Sequence, residues 1–325
     1  VVLENFAHTL EQVIGATAVR KVVTTQAGDL LPPLQRLLTN AVLKHVKKAV
    51  PPWRLPGAVP FRAALATGRA LALDDVALGP DDLAFLQYTG GTTGVAKGAM
   101  LSHGNMVANV LQVAAWMSPN LEDGKETVVI PLPLYHVFAL TGCLSFFSKG
   151  AQTVLVANPR DLPGFIRTLR QNPFSAIIGV NTLFRALLDA PAFADVDLRR
   201  LKLAVAGGMA VQHVVAQRWK QRAGVPLVEG YGLTETAPVA IANPVTVAEW
   251  SGGIGVPLPS TEAAILDDDG RPVAPDQVGE ICLRGPQVMK GYWQRPDETA
   301  RVLTADGWLR TGDMGTMDEC GNIRL

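Results

Sequence analysis

The sequence has few cysteines and no excess charge of either sign. Its three cysteines, Cys143, Cys282 and Cys320, are far apart among 325 residues, and lysine plus arginine and aspartate plus glutamate both number 29. Scattered cysteines predict neither a disulfide framework nor a metal site, and they are typical of a reducing cytoplasm. A formal net charge of zero argues against a nucleic-acid partner held by bulk electrostatics.

Apolar runs without helix breakers are also scarce. Residues 128–147 are apolar enough to suggest a membrane span, but Pro131 and Pro133 interrupt a helix there and His136 adds a polar group. We therefore predict a buried strand, a proline-bounded loop and a core helix in this stretch.

What is present is a globular composition, with 48% hydrophobic and 18% charged residues. Short apolar runs alternate with helical patterns up to Trp250, which predicts an α/β fold of mostly parallel sheet covered by helices. Frequent turn signals after Trp250 separate short alternating runs, which predicts a small antiparallel β-barrel or a sandwich, and we expect the barrel. We predict three parts: a partial N-terminal α/β portion with a connector at residues 1–80, an α/β part at residues 81–250 and the β-barrel part at residues 251–325.

One loop carries a strong chemical signal. Residues 88–99 (YTGGTTGVAKGA) combine four glycines, three threonines and one lysine. Backbone N–H groups, hydroxyls and one ammonium suit a polyphosphate. The loop is not a Walker A motif, because that motif needs lysine directly after glycine, and the alternative is a flexible turn after a strand. The predicted phosphate-binding residues are Thr89, Gly90, Gly91, Thr92, Thr93, Gly94 and Lys97. We predict a strand over residues 83–88 before the loop, and after it a long helix that runs to Met117 with Ser102 as its cap.

Two further segments make the prediction specific, residues 229–236 (EGYGLTET) and 306–313 (DGWLRTGD). Together with the loop they resemble the adenylate-forming enzymes, the superfamily of acyl–coenzyme A ligases, luciferases and adenylation domains. Residues 131–140 (PLPLYHVFAL) and 285–293 (GPQVMKGYW) are similar to bacterial long-chain fatty-acid–coenzyme A ligases. The resemblance runs from about residue 81 to the last residue, and it continues more weakly before residue 81.

The resemblance implies an ATP-dependent ligase that forms acyl-AMP with release of pyrophosphate and then acyl–coenzyme A. It also implies that the chain is the family's large domain, incomplete at both ends, with residues 1–80 a partial N-terminal portion and connector. The family's small C-terminal domain, which carries a catalytic lysine, is absent from the sequence, so we expect the fragment alone to be impaired or inactive.

Several side chains are expected to form the site. Glu235 is the candidate Mg²⁺ ligand, since Mg²⁺ takes one or two carboxylates plus phosphate oxygens, and the resemblance implies that Thr89 shares the ion. By the same resemblance Lys97, Thr234 and Glu235 are the catalytic residues. The predicted adenine- and ribose-binding residues are Gly207, Gly208, Met209, Glu229, Gly230, Tyr231, Gly232, Thr234 and Asp313. The predicted acyl-binding residues are His136, Val137, Phe138 and Gly208.

The expected partners are a fatty acid, ATP and coenzyme A, in a cytoplasmic enzyme. A predicted helix over Leu34 to Val50 has an apolar stripe and three lysines, which favours peripheral contact with the inner membrane surface, although packing of the stripe on the domain is the alternative. A homodimer is also expected. Three other functions stay open: an acyl-AMP ligase feeding a carrier protein, an aryl-acid–coenzyme A ligase, and a nucleotide-binding pseudoenzyme or regulatory module.

Overall fold

A computed structural model describes residues 1–90 and 96–325 of the chain, which divide into two units, Val1–Ala77 and Leu78–Leu325. The strands of the first unit form a parallel sheet in chain order. They are β1 (Val2–Leu3), β2 (Val23–Thr25) and β3 (Val59–Pro60), and the helices are α1 (Ala7–Val13), α2 (Pro33–Ala41) and α3 (Phe61–Gly68).

The helix predicted over Leu34 to Val50 is α2 followed by a π-helical turn at Val42–Val46. Its apolar stripe is exposed: the fractional exposure is 69% for Leu34, 67% for Leu37 and 74% for Val46. The stripe is therefore not part of a packed core within the described residues.

The second unit contains the remaining regular structure. Its strands are β4 (Leu83–Thr89), β5 (Lys97–Ser102), β6 (Thr127–Ile130), β7 (Gln152–Leu155), β8 (Ala176–Gly179), β9 (Leu203–Ala206), β10 (Leu227–Gly232), β11 (Val239–Ala242), β12 (Val256–Pro257), β13 (Glu262–Leu266), β14 (Gly279–Arg284), β15 (Leu309–Met317) and β16 (Ile323–Arg324). Its helices are α4 (His103–Met117), α5 (Val137–Ser148), α6 (Leu162–Gln171), α7 (Asn181–Asp189), α8 (His213–Ala223) and α9 (Pro296–Val302).

A seven-stranded sheet in the order β12-β11-β10-β9-β8-β6-β7 forms the centre of this unit. The strands β10, β9, β8, β6 and β7 are parallel to one another, whereas β11 and β12 are antiparallel additions. This confirms the predicted α/β fold, because the parallel strands alternate with helices along the chain.

Helices cover both faces of the central sheet, since successive strand residues point to opposite sides. On one face, Ile177 of β8 packs in a cluster with Trp219 of α8, and we call this the α6–α8 face. On the other, Ile178 packs in a cluster with Phe146 of α5 and Met117 of α4, and we call this the α4–α5 face. One strand therefore contributes to two separate cores.

The phosphate-binding segment differs from the prediction in one respect. We expected a strand, the loop and then a helix, but β4 pairs with an additional strand, β5, in a separate two-stranded antiparallel sheet where Thr89 lies opposite Lys97. The helix α4 follows at once, and the Ser102 hydroxyl caps it by accepting a hydrogen bond from the Asn105 backbone N–H at 3.2 Å. The predicted cap is confirmed.

A second antiparallel region follows the central sheet. The strands β13 to β16 form a four-stranded antiparallel sheet in chain order, as expected for the last part of the chain. The predicted boundary at residue 250 precedes β12, which still pairs with the central sheet, and the boundary stays a prediction. Within the described ranges, no helix combines the length and apolar character needed to cross a bilayer.

Candidate active site

A cavity of about 470 Å³ lies on the α4–α5 face of the central sheet. Its walls come from α4, α5, the carboxyl ends of β8, β9 and β10, and the strand β11. Crevices at the carboxyl ends of parallel strands are the usual ligand sites of α/β sheets. The position in the fold therefore marks this cavity as the candidate site.

The cavity brings together most of the predicted residues that the structure describes. Those that line it are Thr89, Gly90, His136, Val137, Phe138, Gly207, Gly208, Gly230, Tyr231, Gly232, Thr234 and Glu235. Four others, Lys97, Met209, Glu229 and Asp313, are not among its lining residues. The predicted positions Gly91, Thr92, Thr93 and Gly94 lie outside the described residues.

Glycines line the strand ends because backbones meet closely there. A Cβ atom on Gly207 would lie 3.2 Å from the carbonyl oxygen of Gly230 and 3.2 Å from the ring of Phe138. A Cβ atom on Gly232 would lie 1.9 Å from the carbonyl oxygen of Pro238, where no side chain fits. The result is a shallow wall of bare backbone, to which a flat ring can approach.

Glu235 lies at the polar end of the cavity, in a short helical turn at Thr234–Thr236. Its Oε1 accepts a hydrogen bond from the Tyr292 hydroxyl at 2.6 Å, and its backbone carbonyl accepts one from the Met289 N–H at 2.8 Å. Burial, reinforced by this hydrogen bond, raises the pKa of Tyr292, so the phenol stays a donor. Among the described residues, the bond from Tyr292 is the one side-chain hydrogen bond to the Glu235 carboxylate.

Lys97 lies beside this turn and not on the cavity wall. Its Nζ is 2.6 Å from Oε2 of Glu298 and 5.1 Å from the centroid of the Tyr292 ring. The hydrogen bond from Lys97 lowers the pKa of Glu298, which keeps the pair charged. Tyr292 thus contacts both the lysine of the phosphate-binding segment and the candidate metal ligand.

Asp313 is connected to the site by a hydrogen bond with Tyr231. The Tyr231 hydroxyl donates to Oδ2 of Asp313 at 2.6 Å, and the same tyrosine lines the cavity. Burial and this carboxylate raise the pKa of Tyr231, so it remains protonated. Tyr231 and Asp313, both predicted to contact adenosine, are therefore adjacent. Asp313 is hydrogen-bonded to a protein group and does not itself line the cavity.

Glu229 faces away from the cavity. In β10, Val228 and Gly230 line the cavity, so the side chain between them points to the α6–α8 face. Its carboxylate accepts hydrogen bonds at 3.0 Å from the Val211 backbone N–H and at 3.0 Å from the Trp250 indole N–H. The structure therefore does not bring this carboxylate to the site predicted for it.

His136 stands at the entrance, directly before α5. Its Nδ1 accepts a hydrogen bond at 3.2 Å from the backbone N–H of Phe138, which caps the helix. The exposed ring lines the cavity together with Val137 and Phe138. Three of the four residues predicted to bind the acyl group are therefore consecutive at this edge of the cavity, and the fourth, Gly208, also lines it.

The apolar part of the cavity contains residues that were not predicted from the sequence. Beyond Phe138 the lining is almost wholly hydrocarbon, and it comes from segments far apart in the chain. The additional residues that line this part are Val113, Trp116, Met117, Gly142, Phe146, Ile178, Val205, Val228, Ala242, Val245 and Leu258. The alternation of side chains along the strands could have predicted part of this lining. Ile178, Val205 and Val228 lie on the same face of the central sheet, so assigning one of them to the cavity assigns all three.

The arrangement joins a polar end to an apolar channel. The polar end offers one carboxylate and threonine hydroxyls, and no group of three or more metal-ligating side chains occurs in the described part of the chain. One carboxylate with hydroxyl groups fits Mg²⁺ that arrives with phosphate oxygens, since Mg²⁺ in nucleotide sites takes one or two carboxylates and completes its shell with phosphate and water. The channel suits a long hydrocarbon.

Comparison with known proteins gives consistent results. A model of the AMP-binding enzyme family matches residues 4–293. A long-chain-fatty-acid–CoA ligase of Escherichia coli O157:H7 is 54% identical over 326 residues, which cover 100% of this chain and 58% of that protein. The chain thus spans less than two thirds of the length of this curated relative.

Two solved structures share the fold. ATP-bound MatB from Rhodopseudomonas palustris has a TM-score of 0.72 and 27% identity, over 93% of this chain and 58% of that one. The N-terminal domain of FACL13 from Mycobacterium tuberculosis, with an inhibitor bound, has a TM-score of 0.76 over 97% of this chain and 76% of that one. At 22% identity, the second likeness concerns the fold alone.

Proposed function

We propose that this chain, which belongs to the AMP-binding enzyme family, is the ATP- and acyl-binding part of a long-chain fatty-acid–CoA ligase. The protein would activate the acid as acyl-AMP, release pyrophosphate and then form acyl–coenzyme A. The observation that carries the proposal is a single cavity with Thr89 and Glu235 at one end and a hydrocarbon channel at the other. The identity to long-chain ligases over the whole chain supports the substrate class.

The proposed chemistry depends on positioning. Attack of a carboxylate on the α-phosphate is an in-line displacement, in which alignment and charge stabilisation lower the barrier. The glycine wall at Gly207 and Gly230 would admit adenine beside Tyr231, and the fatty acid would enter with its carboxylate near His136. Asp313 would accept from the ribose hydroxyls by exchanging its bond with Tyr231.

We assign Mg²⁺ to Glu235, with Thr89 as a second ligand. Tyr292 holds one carboxylate oxygen, which fixes the orientation of the other. When bound with ATP, the ion would neutralise charge on the phosphate oxygens. Lys97 would reach the phosphates only by leaving Glu298, and the partial exposure of both side chains, 19% and 26%, permits this exchange.

We also propose that the α2 stripe contacts the membrane surface, where long-chain fatty acids partition. The exposed leucines and valines are accompanied by exposed Lys44, Lys47 and Lys48, the composition of an interfacial helix. Vesicle co-sedimentation of the intact protein should then weaken with salt, and salt-independent binding would contradict the proposal. The expected homodimer stays a prediction.

The decisive experiment measures the two half-reactions on the intact protein. Fatty-acid-dependent ATP–pyrophosphate exchange should appear with long-chain acids, and acyl–coenzyme A should form when coenzyme A is added. Exchange without thioester formation would favour an acyl-AMP ligase that feeds a carrier protein. Exchange with aryl acids alone would favour an aryl-acid ligase, and ATP binding without exchange would favour a pseudoenzyme or regulatory module.

A further inference from the structure

Five residues of α5 line the cavity, with Val137 and Thr141 among them; the other three, Phe138, Gly142 and Phe146, follow one another at a spacing of four. This spacing places them on one helix face, and at 1.5 Å per residue they follow about 12 Å of the cavity. Glycine is unfavourable inside a helix relative to alanine. An interior glycine between two phenylalanines therefore needs a reason in its surroundings.

The surroundings of Gly142 give that reason. A Cβ atom there would lie 2.8 Å from Cδ1 of Ile178, well inside the separation at which carbon atoms pack. Ile178 belongs to β8, is 3% exposed and also lines the cavity. The helix and the sheet approach each other so closely at this level that a Cβ atom on residue 142 would have to displace the Ile178 methyl group.

We propose that Gly142 determines the length of acyl chain that the cavity accepts. This inference rests on the proposed ligase function and deepens it. Beyond Gly142 the cavity continues to Phe146, Met117 and Val245, which lie in the buried cluster of the α4–α5 face. A side chain at position 142, or the Ile178 methyl group that it displaces, would occupy the channel and separate this inner part from Phe138.

The test compares chain-length profiles of the intact protein. Activation of octanoate, dodecanoate and palmitate is measured as kcat/KM for wild type, Gly142→Ala and Gly142→Leu. Each methylene group that loses its apolar surroundings should lower kcat/KM by about fourfold. We expect Gly142→Leu to lower the palmitate-to-octanoate ratio by at least about tenfold, because several methylenes are excluded.

A rescue variant separates blockage of the channel from general damage. Ile178→Val removes the carbon atom that the new Cβ would meet. Adding it to Gly142→Ala should return the ratio toward the wild-type value. As a matched control, Ala115→Leu adds bulk to the exposed face of α4 and should leave the ratio unchanged.

The outcomes are distinct. A Gly142→Leu protein that activates octanoate normally and keeps the wild-type ratio would overturn the inference while the ligase function stands. A wild type that activates none of the three acids would overturn the ligase function itself. If Gly142→Leu does not fold, the Gly142→Ala ratio with and without Ile178→Val decides, and an unchanged ratio in both overturns the inference.

Discussion

The two faces of the central sheet use the same strands for different purposes. On the α6–α8 face, Trp219 is 0% exposed, with the ring of Phe184 edge-on at 4.7 Å and that of Phe193 stacked at 5.9 Å. On the α4–α5 face, the strands instead border a cavity of about 470 Å³. Because protein interiors are otherwise packed as densely as organic crystals, a space of this size is a built feature.

The difference is already present in the residues of single strands. In β10, Glu229 points to the packed face and is hydrogen-bonded there, while its neighbours Val228 and Gly230 border the cavity. In β8, Ile177 belongs to one core and Ile178 to the other. One face thus supplies stability and the other supplies the site, and substitutions on the two faces should have separable effects.

The largest expected effect is on the packed face. Trp219→Ala should lower the free energy of unfolding by about 3–5 kcal/mol, because a large buried ring leaves a cavity behind. The unfolding midpoint should fall by about 4–7 °C for a chain of this length, with a smaller loss for Trp219→Phe. Thermal unfolding of the intact protein measures this.

The same variant tests whether the faces are separable. At a temperature where Trp219→Ala is folded, its palmitate-to-octanoate ratio should equal that of the wild type. A shifted ratio would show that packing on the α6–α8 face also shapes the cavity.

The next effect concerns the polar end of the cavity. Glu235→Ala removes the proposed Mg²⁺ ligand, and loss of a charged partner costs about 1.5–3 kcal/mol, so ATP–pyrophosphate exchange should fall at least tenfold. Tyr292→Phe is the control, since it removes the 2.6 Å hydrogen bond but keeps the Glu235 carboxylate. ATP–pyrophosphate exchange should fall less in Tyr292→Phe than in Glu235→Ala. Exchange within twofold of wild type in Glu235→Ala would rule out the assignment.

Much of the fold could be predicted because it depends on local patterns. The continuous apolar runs at β6, β8 and β9 are where the sequence predicts buried strands, and Ser102 caps α4 as its hydroxyl chemistry requires. The strand β5 was missed because Lys97 and Gly98 are poor strand formers, and its pairing with β4 is what orders them.

The site was less accessible to sequence reasoning, because its partners are distant in the chain. Lys97 and Glu298 are 201 residues apart, and no periodicity connects them. Gly142 faces Ile178 only because α5 packs on β8. Glu229 shows the opposite case, since alternation along β10 predicts that it points away from Gly230.

The smallest expected effect is a pH dependence of stability on the packed face. Glu229 is 5% exposed and, among the described residues, is bonded to two N–H donors and no cation. Burial raises the pKa of its carboxyl above the ordinary value of 4.5. Between pH 4.5 and the folded pKa, the Glu229 carboxyl is therefore protonated in the folded protein and ionised in the unfolded chain. The contribution of Glu229 to the free energy of unfolding falls as the pH rises through the folded pKa.

Glu229→Gln removes this titration while keeping one acceptor oxygen. At low pH the free energies of unfolding of wild type and Glu229→Gln should differ by a constant amount. As the pH rises above 4.5, the wild type should lose stability relative to the variant. The difference should become constant again beyond the folded pKa. Urea unfolding of both proteins across this range measures the difference. Glu319→Gln makes the same change from carboxylate to amide at an exposed position between β15 and β16, and it serves as the control. Parallel curves for wild type and Glu229→Gln would mean that folding does not raise the pKa of Glu229, because the two N–H donors stabilise the charged carboxylate as much as burial destabilises it.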